Sequence, residues 1–153
     1  MHMIRRLSAA VVISHQLFAG SALGQDEQLH AKVAETQARY VEAWVAGDAE
    51  ALASLFTEDA VFWPISGGSF EGRDAIRQTL QQDPQPEAAS IRSTHTERLG
   101  DLVFDVGTFT VTLSGAEGGE MEGEYVVVAE ETEDGMQIRR LISFEPRRHE
   151  APQ

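Results

Sequence analysis

Apolar side chains return at three- and four-residue spacing through Leu29, Val33, Thr36, Tyr40, Val41, Trp44 and Val45, so residues 27–46 are predicted to form one amphipathic helix. Gly47 ends it. Asp48 then caps a short second helix that buries Ala51, Leu52, Leu55 and Phe56, and Thr57-Glu58-Asp59 breaks that helix. Residues 60–64 (AVFWP) are aromatic and β-branched, which predicts a strand. Ser66-Gly67-Gly68 forms a turn, and a short return begins at Phe70. After Gly72 a third helix is predicted over 74–82, with Ala75, Ile76 and Leu80 inward, and Asp83-Pro84-Gln85-Pro86 ends it in a loop. From there the period shortens. Residues 89–99, 102–114, 120–133 and 136–145 alternate or run apolar, separated by glycine-containing breaks suited to hairpins. Helices first and a four-stranded antiparallel meander after predict an α+β fold with three N-terminal helices on a curved, mostly antiparallel sheet.

Length and composition narrow this picture. A chain of 153 residues holds one domain with a real core. Its formal charge is −13, and Lys32 is its only lysine. Nucleic acid and anionic lipid both require a cationic footprint, so neither is an expected partner. The absence of cysteine removes disulfides, thiolate catalysis, zinc–thiolate sites and an N-terminal lipid anchor. Arg5-Arg6 followed by the apolar runs LSAAVVIS and LFAGSALG reads as an export leader over 1–24, with small residues placed for cleavage before Gln25. The run is too short and interrupted to span a membrane. The expected product is periplasmic or secreted, with a folded domain over 25–147 and a loose tail over 148–153.

The stretch "ARYVEAWVAGDAEALASLFTEDAVFWPISGGSFEGRDAIRQTL" carries an ordered set of features: Trp44, Gly47-Asp48, Phe56, Asp59-Ala60-Val61, Pro64, Gly72-Arg73 and Ile76. Together with "LGDLVFDVGTFTVTL" and "GEYVVVAEETEDGMQIRRLISF", it resembles the SnoaL-like and ketosteroid isomerase-like branch of the nuclear transport factor 2-like superfamily over residues 28–145. The resemblance implies a cone-shaped fold around one pocket, and homodimers. It does not fix an activity, because this fold carries isomerases, cyclases, hydrolases, dehydratases and non-enzymes. In the isomerase pattern the tyrosine that holds the enolate oxygen falls on Tyr40. The base falls on Trp63, directly before Pro64, and the second oxyanion group falls near Val127. Neither Trp nor Val performs that chemistry, so classical steroid isomerisation is not expected.

The remaining candidates describe an aromatic pocket for a small apolar molecule. Tyr40 and Trp44 share a helix face, Phe62 and Trp63 come from the first strand, and Phe144 comes from the last. His95 is the acid–base candidate, and Tyr40 the donor to a developing oxyanion. On the strand of His95, Ile91, Ser93, His95 and Glu97 share one face and Arg92, Thr94, Thr96 and Arg98 the other, and the pattern leaves open which turns inward. Arg140 shares parity with Ile138, Ile142 and Phe144, which places it at the pocket mouth as a carboxylate ligand. Asp59 reads as a turn residue. His30, His95 and His149 have no metal-ligand spacing and no phosphate loop occurs, so neither a metal nor a cofactor is expected. Val111, Val126 and Val128 are read as an apolar outer sheet face for dimerisation. Three functions stay open: an acid–base enzyme, a non-catalytic binding protein of the cell envelope, and a dimeric interaction module.

Overall fold

The computed structural model describes residues 19–145 except 116, 117 and 134, so most of the expected leader and the whole expected tail lie outside the described residues. Helix α1 runs from Ala19 to Ala46 and buries Leu29, Val33, Tyr40 and Ala43 along one stripe. Three of its last carbonyls are satisfied at the C-terminal end. Asp48 N–H donates to Ala43 O at 2.9 Å and Gly47 N–H to Trp44 O at 3.0 Å, while Gly47 sits at φ 67°, a paired closure that needs a left-handed residue. Gln85 Nε2 donates to Val45 O at 2.7 Å, satisfying the next carbonyl. Helix α2 (Ala49–Ser54) is capped by Asp48, whose Oδ1 accepts from Ala51 N–H at 2.9 Å.

Strand β1 spans Phe56–Trp63, beginning earlier than residue 60. The polar Thr57-Glu58-Asp59 is not a break but an irregular stretch inside the strand. Pairing with the last strand is registered at Phe56↔Ile138 and again from Val61↔Arg140, with a shift between. Arg73 explains how that irregularity is tolerated. Its Nε and Nη2 both donate to Phe56 O, at 2.9 and 2.7 Å, so the carbonyl exposed by the shift is satisfied. Strand β2 (Phe70–Glu71) pairs back on β1, and α3 (Arg73–Gln82) buries Ile76 and Leu80.

Strands β3 (Pro86–Leu99), β4 (Leu102–Leu113), β5 (Gly119–Thr132) and β6 (Gly135–Phe144) form the predicted meander. The sheet order is β2-β1-β6-β5-β4-β3, antiparallel except where β1 lies parallel to β6. The α+β architecture is therefore the expected one, helices on a mostly antiparallel sheet. Two bulges bend it and switch side-chain parity. In β3 the pairing passes from Ser93↔Gly107 to His95↔Val106, leaving Thr94 as the extra residue. In β6 it passes from Ile138↔Ala129 to Arg140↔Val128, leaving Arg139 extra.

Phe56 is fully buried between Tyr40 and Phe62, with ring centroids 6.4 and 6.2 Å away. Phe56→Ala is expected to cost about 3–5 kcal/mol in urea denaturation, since the ring's contacts with two elements are lost together. An ion cluster joins α1 to the sheet. Glu131 accepts from Arg98 Nη1 at 2.6 Å and Lys32 Nζ at 3.0 Å, and these bonds hold its carboxyl down to about 2. A depressed acid stabilises the fold above its ordinary value of 4.5 and loses that contribution as pH falls toward 2. Both partners are solvent-accessible, so Glu131→Gln is expected to cost less than about 1 kcal/mol at neutral pH. It is also expected to flatten the acid limb of the stability–pH profile, which urea titrations at stepped pH would read.

Candidate functional site

Between α1, the end of α3 and the concave sheet face lies a cavity of about 300 Å³. Its walls are apolar because the inward positions of β4, β5 and β6 are Val103, Phe109, Val111, Val127, Ile138 and Leu141. Aromatic rings frame one side. Tyr40 meets Trp44 edge-on at 5.8 Å, and Trp44 meets Phe109 at 6.2 Å. Exposed Ser66 and Pro84, with half-buried Asp83, mark the mouth.

One polar cluster interrupts this lining. Asp105, only 3% exposed, points inward from β4. Its Oδ2 accepts from Tyr125 Oη at 2.7 Å and its Oδ1 from Thr96 Oγ1 at 2.6 Å. Gln37 on α1 reaches across with Nε2, 2.7 Å from Ser93 Oγ, 2.9 Å from Tyr125 Oη and 3.2 Å from Asp105 Oδ2. An amide nitrogen carries two hydrogens, so the shorter contacts to Ser93 and Tyr125 take them. The tyrosine thus accepts from Gln37 and donates to Asp105. Burial raises the Tyr125 phenol well above its ordinary value and the Asp105 carboxylate adds to the rise, while bonds to Ser93 and Gln37 oppose it. Tyr40 is raised too, by burial first and then by the Asp83 carboxylate. Asp83 itself is raised by desolvation.

The cluster depends on a glycine. A Cβ at Gly107 would lie 2.6 Å from Tyr125 Oη, so the tyrosine ring crosses β4 to reach Asp105 through the space of a missing side chain. Gly123 plays the same part for the Phe109 ring, which packs against its bare Cα position.

Tyr40, Trp44 and Phe62 line the cavity together. Trp63, His95, Arg140 and Phe144 do not. The β3 bulge turns Ser93 and Thr96 inward and sends His95 out, where its side chain is 60% exposed and 3.6 Å from Glu97. There it borders a shallow groove with His30 and Ser93, and Val33, Gln37 and Ile91 line both groove and cavity. The β6 bulge likewise puts Leu141 and Ser143 inside. Arg140 lies instead along β1, donating to the carbonyls of Asp59 and Arg139. Trp63 pairs with outward Ile142, and Val111 is a cavity residue rather than part of an outer face. Asp59 is exposed, held by Thr57 and Arg139. Val127 is apolar, and the carboxylate in the cavity wall comes from Asp105, its direct partner on β4. Sequence reasoning missed Gln37, Asp105, Gly107 and Tyr125. The available signal was the β4 face Val103, Asp105, Gly107, Phe109, Val111, where an acid and a glycine sit among inward apolar positions. Among the described residues no group of three or more His, Asp or Glu side chains is placed to hold a metal.

Residues 38–141 match the SnoaL-like domain. No curated protein matches the chain. Among solved structures it is similar to a variant of Rv3472, a protein of unknown function from Mycobacterium tuberculosis, with a TM-score of 0.73 at 23% identity over 86% of this chain and 80% of that one. A protein from Novosphingobium aromaticivorans with the NTF2-like, cystatin-like fold gives 0.69 at 19% identity, covering 86% and 90%. A domain of unknown function with a cystatin-like fold from Nostoc punctiforme gives 0.68 at 21% identity, covering 80% of each chain. These likenesses establish the fold.

Proposed function

We propose a function from one premise: the chain belongs to the SnoaL-like domain family. It binds a small, mostly apolar molecule in the cavity beneath α1 and moves a proton on it. The observation that carries this reading is the buried Asp105 carboxylate, hydrogen-bonded to Tyr125 at 2.7 Å in the wall of an otherwise apolar cavity. A general base works only when its neighbours hold it within reach of the proton it takes. Thr96 and Tyr125 do that here. When Asp105 takes a proton from the ligand, its pull on the Tyr125 hydroxyl weakens, and that hydroxyl is freed toward negative charge developing on the ligand. Returning the proton to a different ligand atom completes an isomerisation, or an elimination of water if it goes to a leaving hydroxyl. Tyr40 supplies a second donor from α1.

Incubating the bound ligand in deuterated water tests the chemistry. The wild-type protein is expected to place deuterium on the ligand, detected by mass spectrometry. Equal incorporation with Asp105→Asn, or none with either protein, would contradict proton transfer by Asp105.

The convex sheet face favours a dimer in addition. Val106, Val126, Ile142 and Trp63 pair side by side across four strands, and Ile142 is 40% exposed. Light scattering is expected to return twice the chain mass, and a monomer over a wide concentration range would refute this.

A further inference from the structure

The charges that line the cavity are of one sign. Its ionisable groups are Asp83 at the mouth, Asp105 in the wall, and the phenols Tyr40 and Tyr125. No Lys, Arg or His among the described residues lines it. Arg140, placed to receive a carboxylate by the parity of its strand, is turned away by the β6 bulge onto the carbonyls of Asp59 and Arg139. An anionic ligand would therefore be desolvated beside two carboxylates with no cation to meet it. The field of the whole chain, with a formal charge of −13, adds to that exclusion.

The wall also offers more acceptor positions than it has donors to fill them. A carboxylate offers about four lone-pair positions. On Asp105 the firm donors are Tyr125 to Oδ2 and Thr96 to Oδ1, with Gln37 a longer third contact at 3.2 Å. Oδ1 keeps a free position. The Gln37 amide oxygen takes part in none of the cluster's hydrogen bonds, because all of its contacts there are made through Nε2.

We infer that the ligand is an aromatic or alicyclic molecule carrying a hydroxyl or amino group, neutral or cationic, whose N–H or O–H docks on Asp105, and that carboxylates and phosphates are excluded. This rests on the cavity being the binding site. The donor end lies against Asp105 and the apolar body fills the space framed by Tyr40, Trp44, Phe62 and Phe109. An ammonium gains a partner in Asp105 and an aromatic lining suited to cations.

Four probes of one size separate the possibilities: naphthalene, naphthylmethanol, naphthylmethylamine and naphthoate, titrated into the full chain by calorimetry at neutral pH. Naphthylmethanol and naphthylmethylamine are expected to bind at least about tenfold more tightly than naphthoate, the cost of an unmatched buried anion. Asp105→Asn is expected to narrow the gap between amine and naphthoate. Naphthoate binding as tightly as the alcohol and the amine would overturn the inference while leaving an apolar pocket in place. Failure of all four, naphthalene included, would remove the pocket itself and this inference with it.

Discussion

Gly107→Ala is expected to destabilise the fold by about 3 kcal/mol, against the usual sign for such a change in a strand. In an ordinary strand position alanine restricts the unfolded chain more than glycine does and is mildly favourable. Here the added methyl would sit 2.6 Å from Tyr125 Oη and 2.8 Å from its Cε1, and closer still to the carbonyl oxygen of Arg92. The tyrosine side chain can swing away, but only by giving up Asp105 and Gln37. The Arg92 carbonyl belongs to the β3–β4 pairing and yields only by opening that ladder. Both routes lose buried hydrogen bonds, so guanidinium denaturation is expected to show a clearly lowered midpoint. An unchanged or raised midpoint would mean that Tyr125 does not cross β4 at this residue.

The second large effect belongs to Asp105, and two substitutions divide its roles. Asp105→Ala strips the acceptor from Tyr125 and Thr96, and each buried hydroxyl left without a partner costs about 1–3 kcal/mol. Asp105→Asn keeps the shape and one acceptor oxygen, so it is expected to fold with a smaller loss. Turnover of the ligand is nevertheless expected to fall by about 100-fold or more, since an amide does not take the proton. The Asn variant has a further signature. The Asp105 carboxylate contributes to holding the Tyr125 phenol up, so its removal is expected to let that tyrosine ionise at lower pH in an ultraviolet titration. A folded Asn variant with wild-type turnover would leave Asp105 a structural residue only.

Much of the fold was legible because period and turn chemistry agreed. The three-and-four spacing through Trp44, the Gly47-Asp48 helix boundary and the hairpin glycines all locate real element ends. The early start of β1 was not legible, because Thr57-Glu58-Asp59 is polar and its place in a strand depends on Arg73, distant in sequence. The cavity lining was legible on the helix, where one face is fixed by spacing, so Tyr40 and Trp44 fall on the cavity. It was illegible on the sheet for a definite reason. Strand alternation assigns faces only while the register is unbroken, and the bulges at Thr94 and Arg139 reverse the faces of His95 and Arg140. Asp105 was hidden differently. A lone acid in a strand normally faces water, and what turns this one inward is a tyrosine reaching over Gly107 and a glutamine from α1.

Native mass spectrometry of the protein isolated from its own host decides whether the cavity holds a ligand. One small molecule held per chain, neutral or cationic in its released form, is the predicted result. A protein that emerges empty at the mass of its chains, from host material and after exposure to naphthylmethanol and naphthylmethylamine alike, would contradict a ligand-binding function for this cavity.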